Sequence, residues 1–124
     1  MDVFAFFACD KVVLRTTDEK YDIIGYPQRF FYAKEFPSVF SISCFVEVRS
    51  AQKPNLPLEV GLRNPLGILK WELGLPFQSS GMAWGINGPL EIRYGFPMEG
   101  PYSMVLGYNK KILASFPLIA QVSP

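Results

Sequence analysis

Asp10, Asp18, Glu19 and Asp22 form the densest acidic set in the chain. Convergent carboxylates bind hard cations such as Ca²⁺ or Mg²⁺, but this spacing follows no EF-hand loop. The expected role is a solvated connection whose charges blunt a sheet edge. Glu47, Glu59, Glu72 and Glu91 fall on separate segments. Two of them face to face would make a glycosidase-type pair. Paired across strands with Arg49, Arg63, Lys70 and Arg93, they are ordinary sheet-surface charges, and the balanced composition favours that. Ser79 and Ser80 lie in no Gly-x-Ser-x-Gly elbow, which leaves only a serine–lysine dyad with Lys70 or Lys53. The chain has no histidine. That absence removes Ser–His and Cys–His nucleophile pairs, most zinc sites and the side chain that titrates near neutrality. Neither a GxxxxGK[ST] nor a GxGxxG phosphate loop occurs. The two cysteines, Cys9 and Cys44, form no CxxC and lie in apolar runs. There a thiol acts as a small hydrophobe. Two reduced core thiols are expected, and a disulfide only if their strands face each other. No catalytic residue, cofactor or metal ligand emerges, and the protein is not expected to be an enzyme.

Aromatic clusters offer a different chemistry. Phe30, Phe31 and Tyr32 are flanked by Arg29 and Lys34, and Met82 and Trp84 sit in a Gly/Ser-rich stretch. Aromatics, Met and Arg concentrate at the centres of protein interfaces. The competing role is to plug the open ends of a core. Trp84 with Tyr94 would alternatively line a small-ligand pocket or stack on a sugar.

Steps between these residues are set by an alternating pattern. Phe40, Ile42, Cys44, Val46 and Val48 share one parity, with Ser41, Ser43, Glu47 and Arg49 on the other. That period of two is a strand with one buried face. Leu58, Val60 and Leu62, the turn Asn64–Pro65–Leu66–Gly67, and Leu69, Trp71, Leu73 and Leu75 read as a hairpin. Residues 90–96 and 102–108 alternate likewise, and residues 112–121 form a last strand whose Pro117 suits an edge or a bulge. Residues 3–10 are apolar on both faces. Such a strand is covered on both sides or paired with another copy. Residues 21–26 form a second strand, with Gly25 marking a bulge or a close backbone approach, whereas residues 28–35 fit either strand or aromatic loop. Phe45, Val105 and Ile119 are left over on nominally outer faces, as core or as subunit contact.

With 124 residues, 49% of them hydrophobic and 19% charged, the chain suits one domain over residues 1–124. Frequent Phe, Pro and Gly with no helical periodicity predict an all-β, immunoglobulin-like antiparallel sandwich of about eight short strands, or else a small barrel. A net charge of +1 with scattered Lys and Arg argues against a nucleic-acid partner. The apolar run of residues 3–9 is too short to span a membrane and lacks signal-peptide flanks. A cytoplasmic location without membrane contact is expected.

The order of motifs resembles a bacterial family of small β-sandwich proteins. It comprises the opening strand closed by Cys9–Asp10, then Ile23–Ile24–Gly25–Tyr26, Phe36–Pro37, the run from Leu62 to Gly67, and Gly100–Pro101–Tyr102. The chain departs from the usual aspartate of the hairpin turn, having Asn64 and Leu66. The resemblance implies the fold and brings no activity, cofactor or catalytic residue. A Gly-x-Tyr opening also occurs in immunoglobulin-like sandwiches, where the Tyr hydroxyl ties down a corner; Tyr102 is placed to do so. The expectation is an interaction or assembly module that docks to itself, through its first or last strand, or to another protein. The alternative is a domain binding an apolar or glycan ligand.

Overall fold

The computed structural model describes residues 2–49, 55–78, 84–86 and 90–124. In chain order the strands are β1 (Asp2–Cys9), β2 (Lys11–Leu14), β3 (Tyr21–Ile24), β4 (Phe30–Ala33), β5 (Ser38–Arg49), β6 (Asn55–Arg63), β7 (Leu69–Gln78), β8 (Trp84–Ile86), β9 (Leu90–Phe96), β10 (Gly100–Tyr108) and β11 (Lys111–Val122). They form a β-sandwich. In one sheet β5 is central, with β1 on one side and β9 and β8 end to end on the other. The second sheet runs β4-β11-β10-β6-β7, and β2 and β3 make a separate hairpin. The strands outnumber the eight expected because three short pieces (β2, β4, β8) supplement the expected ones. One pair, β4 with β11, is parallel.

Alternation decides what the sandwich encloses. Ile42, Cys44, Val46 and Val48 of β5 meet Leu58, Val60, Met104, Leu106 and Leu118 of the second sheet in a core from which water is excluded. The second apolar face of β1 is also covered. Phe45 and Cys9 pack with Val12, Phe7 and Tyr21 under the β2–β3 hairpin. The middle of the first sheet therefore lies between two apolar layers, which explains why β1 lacks a polar face. Cys44 lies opposite Ala8, and Cys9 opposite Ser43. The two thiols thus project from opposite faces and both are free.

The turns follow their residue chemistry. Asn64 Oδ1 accepts from the amides of Leu66 (2.9 Å) and Ile68 (3.0 Å), and Gly67 adopts φ +83°. Asn109 and Lys110, with φ of 52° and 64°, make the tight turn between β10 and β11. The Tyr102 hydroxyl donates to the Met98 carbonyl at 2.6 Å, the corner tie expected of it. Pro117 sits opposite Ser103 of β10, while β4 pairs with β11 only from Ile119 onward. Its missing N–H thus falls where β4 no longer lies alongside. The hairpin β6–β7 departs from simple alternation. A register shift between Val60 and Gly61 sets Trp71 opposite Gly61. Its ring occupies the space a Cβ on Gly107 would need, and the Lys110 ammonium lies 5.4 Å from the ring centre. No helix among the described residues is long and apolar enough to cross a membrane.

Candidate functional site

The chain reaches β4 through a crossing segment that starts at Gly25. That residue has φ +69°, and a Cβ there would collide with the Asp10 carboxylate, so a side chain is excluded. The Asp10 amide donates to the Ile24 carbonyl (3.0 Å), and the Gln28 amide to the Ala8 carbonyl (3.0 Å). The segment therefore runs past the end of β1. The Tyr26 ring meets Phe7 edge-on at 4.8 Å and lies 6.5 Å from Phe116 of β11. The Arg29 guanidinium lies 5.3 Å from the centre of the Phe116 ring. These contacts tie one flank of the sandwich together and deliver residues 30–33 to the margin of the second sheet.

On β4 the three aromatics divide. Phe31 is 4% exposed and packs against Phe40 (5.3 Å) and Phe96 (5.9 Å) in the core. Phe30 and Tyr32 are 52% and 53% exposed, with parallel rings 6.4 Å apart. Phe31 is thus corrected from an interaction residue to a core residue. Strand parity assigns it to the inner face, and a Phe31→Ser change would destabilise the core rather than release a partner. Trp84 lies on β8, but its side chain is outside the described residues, as are Met82, Ser79, Ser80 and Lys53. Tyr94 is corrected from a ligand-stacking group. It is fully buried, its hydroxyl has no hydrogen-bond partner among the described residues, and burial pushes its pKa up. The last strand is not a sheet edge either: β11 lies between β4 and β10.

Asp18, Asp22, Glu59, Glu72 and Glu91 are engaged locally. Arg15 bridges Asp18 (3.2 Å) and Asp22 (3.5 Å). Glu59 takes Lys110 at 2.9 Å, Glu72 takes Lys70 at 3.8 Å, and Glu91 accepts from the Ser41 hydroxyl at 2.6 Å. The cationic partners of Glu59 and Glu72 come from the β10–β11 turn and from β7 itself, not from the neighbouring strands expected.

Sequence reasoning missed a cleft of about 760 Å³ between β9, the start of β5 and the β6–β7 hairpin. Phe96 and Tyr102 line it, stacked 4.4 Å apart, with Val39 and Ile68 exposed beside them and Lys70 and Glu72 also present. The register shift of β6–β7 turns those two charges toward the cleft, and simple alternation cannot reveal it. A shallower groove beside Phe4, Ile23 and Tyr26 flanks β1. No protein-family model and no curated protein matches this chain.

Proposed function

We propose that this protein is a non-enzymatic interaction module that binds a partner strand along the open margin of β4. The observation that carries this reading is the pairing of an outermost strand with two stacked, half-exposed aromatics. Natural sheet edges are blunted by charge, Pro or bulges, yet Phe30–Ala33 carries no charge. An added strand gains main-chain hydrogen bonds, and alternate side chains supply specificity. Phe30 and Tyr32 would be the anchors; aromatic hot spots of this kind contribute about 2 kcal/mol or more each.

Native mass spectrometry of gently purified protein tests this. The wild type is expected to carry a partner, either another protein or a second copy. The Phe30→Ser/Tyr32→Ser variant is expected to lose it while remaining folded by circular dichroism. An assembly that survives the double change refutes the reading. The cleft beside Phe96 and Tyr102 supports a second reading, as apolar lining with a few polar groups suits a small ligand. A monomer carrying a stoichiometric small-molecule adduct would transfer the conclusion to that cleft.

A further inference from the structure

We infer that the cleft between β9, the start of β5 and the β6–β7 hairpin takes an amphipathic amine: an apolar body whose ammonium head is held by Glu72. This inference rests on the reading of that cleft as a ligand site and is independent of the β4 margin. A volume of about 760 Å³ suits a small organic molecule. Pro37, Val39, Ile68 and Pro97 give it an exposed apolar wall, and covering that wall with an apolar body releases water.

The polar side chains decide the head group. The Asn64 side-chain oxygen is engaged by the amides of Leu66 and Ile68, and the Tyr102 hydroxyl by the Met98 carbonyl. Ser38 adds a neutral hydroxyl. Lys70 and Glu72 remain, and their surroundings differ. The Lys70 side chain is 78% exposed, so water already solvates its ammonium, whereas that of Glu72 is 21% exposed. Val60 pairs with Leu73 and Gly61 with Trp71, which leaves Glu72 as the extra residue of a β-bulge. Bulges re-aim a side chain beside functional sites. Among the described residues the Glu72 carboxylate has one ionic contact, to Lys70 at a long 3.8 Å. Tyr94 shares the inner face of β9 with the cleft-lining Phe96, and its buried hydroxyl has no partner among those residues. Burial, then the Cys44 thiol and the Glu72 carboxylate, raise its pKa. The inner end of the cleft thus holds acceptor capacity that the described residues leave unused. A half-buried carboxylate is screened less than an exposed ammonium. The site therefore selects a cation that donates hydrogen bonds, and the solvated Lys70 side chain gives way to it.

Calorimetric titration with three probes that share one body tests the class: phenethylamine, phenethyl alcohol and hydrocinnamate. The amine is expected to bind about tenfold tighter than the alcohol, or more, and the carboxylate not to bind. Backbone amide shifts in NMR should place the amine at Val39 and Ile68. Glu72→Gln is expected to weaken the amine about tenfold or more while leaving the alcohol unchanged. Lys70→Met removes the competing ammonium and should tighten the amine. That exposed position carries the test if circular dichroism shows that Glu72→Gln does not fold. An amine that binds no better than the alcohol, that is indifferent to Glu72→Gln, or that Lys70→Met fails to tighten overturns the amine. Hydrocinnamate binding that is lost in Lys70→Met overturns it as well, but leaves the cleft a ligand site of the opposite charge preference. Failure of all three probes at millimolar concentration, or shifts confined to another surface, overturns both the amine and the cleft. The Phe30→Ser/Tyr32→Ser variant should bind the amine as the wild type does; a loss there overturns the independence of the two sites.

Discussion

Phe30, Phe31 and Tyr32 are chemically alike, yet their energetic roles are opposite. Phe31 fills space between Phe40 and Phe96, so its truncation removes buried area and leaves a cavity. Phe31→Ala is expected to cost about 3–5 kcal/mol, read as a lower urea midpoint at unchanged slope. Phe30→Ala and Tyr32→Ala should each stay within about 1 kcal/mol in the isolated monomer, because half their surface already faces water. Equal losses at all three positions would contradict the division of the run between core and surface. That division was not legible beforehand. Hydropathy alternation is the signal of strand parity, and three successive aromatics present none. Only the pairing of Phe31 with Ala120 decides which ring turns inward.

Among the elements, legibility followed the contrast between the two faces. The strand β5 and the hairpin β6–β7 could be read because apolar and polar residues alternate and the turn has its own chemistry. Asn64 carries much of that turn. Asn64→Ala removes an acceptor for two amides and should lower stability by about 1–2 kcal/mol, whereas Asn64→Asp keeps the acceptor and most of the stability. Thermal melts of the two variants check this; equal losses would show that the side-chain oxygen is not what matters. The short strands were harder. Residues 11–14 of β2 give too few positions for a period. The turn of Lys70 and Glu72 toward the cleft depends on a register shift that no local pattern encodes. A cover on both faces of β1, or a second copy beside it, was expected from its composition, but the β2–β3 hairpin as the cover was not.

At the scale of the molecule, burial couples the core to alkaline pH. Desolvation, with a smaller contribution from Cys9, pushes the Cys44 thiol from its ordinary 9.0 up to about 12, and burial also raises Tyr94. Below pH 9 the folded and unfolded chains both hold the thiol proton, so this group leaves stability unchanged. Between pH 9 and about 12 the unfolded chain loses that proton first, and stability falls as pH rises. The denaturant midpoint should therefore be flat up to pH 9 and decline toward pH 12, with a shallower decline in Cys44→Ala. An identical slope in that variant would exclude the thiol as a source.

The parallel pairing of β4 with β11 has a temporal consequence. Residues 30–33 leave the ribosome early, but their neighbours, residues 119–122, leave it late. The aromatic margin is finished only when nearly the whole described chain has been synthesised, so a nascent fragment carries its aromatics without the geometry that makes them a recognition surface.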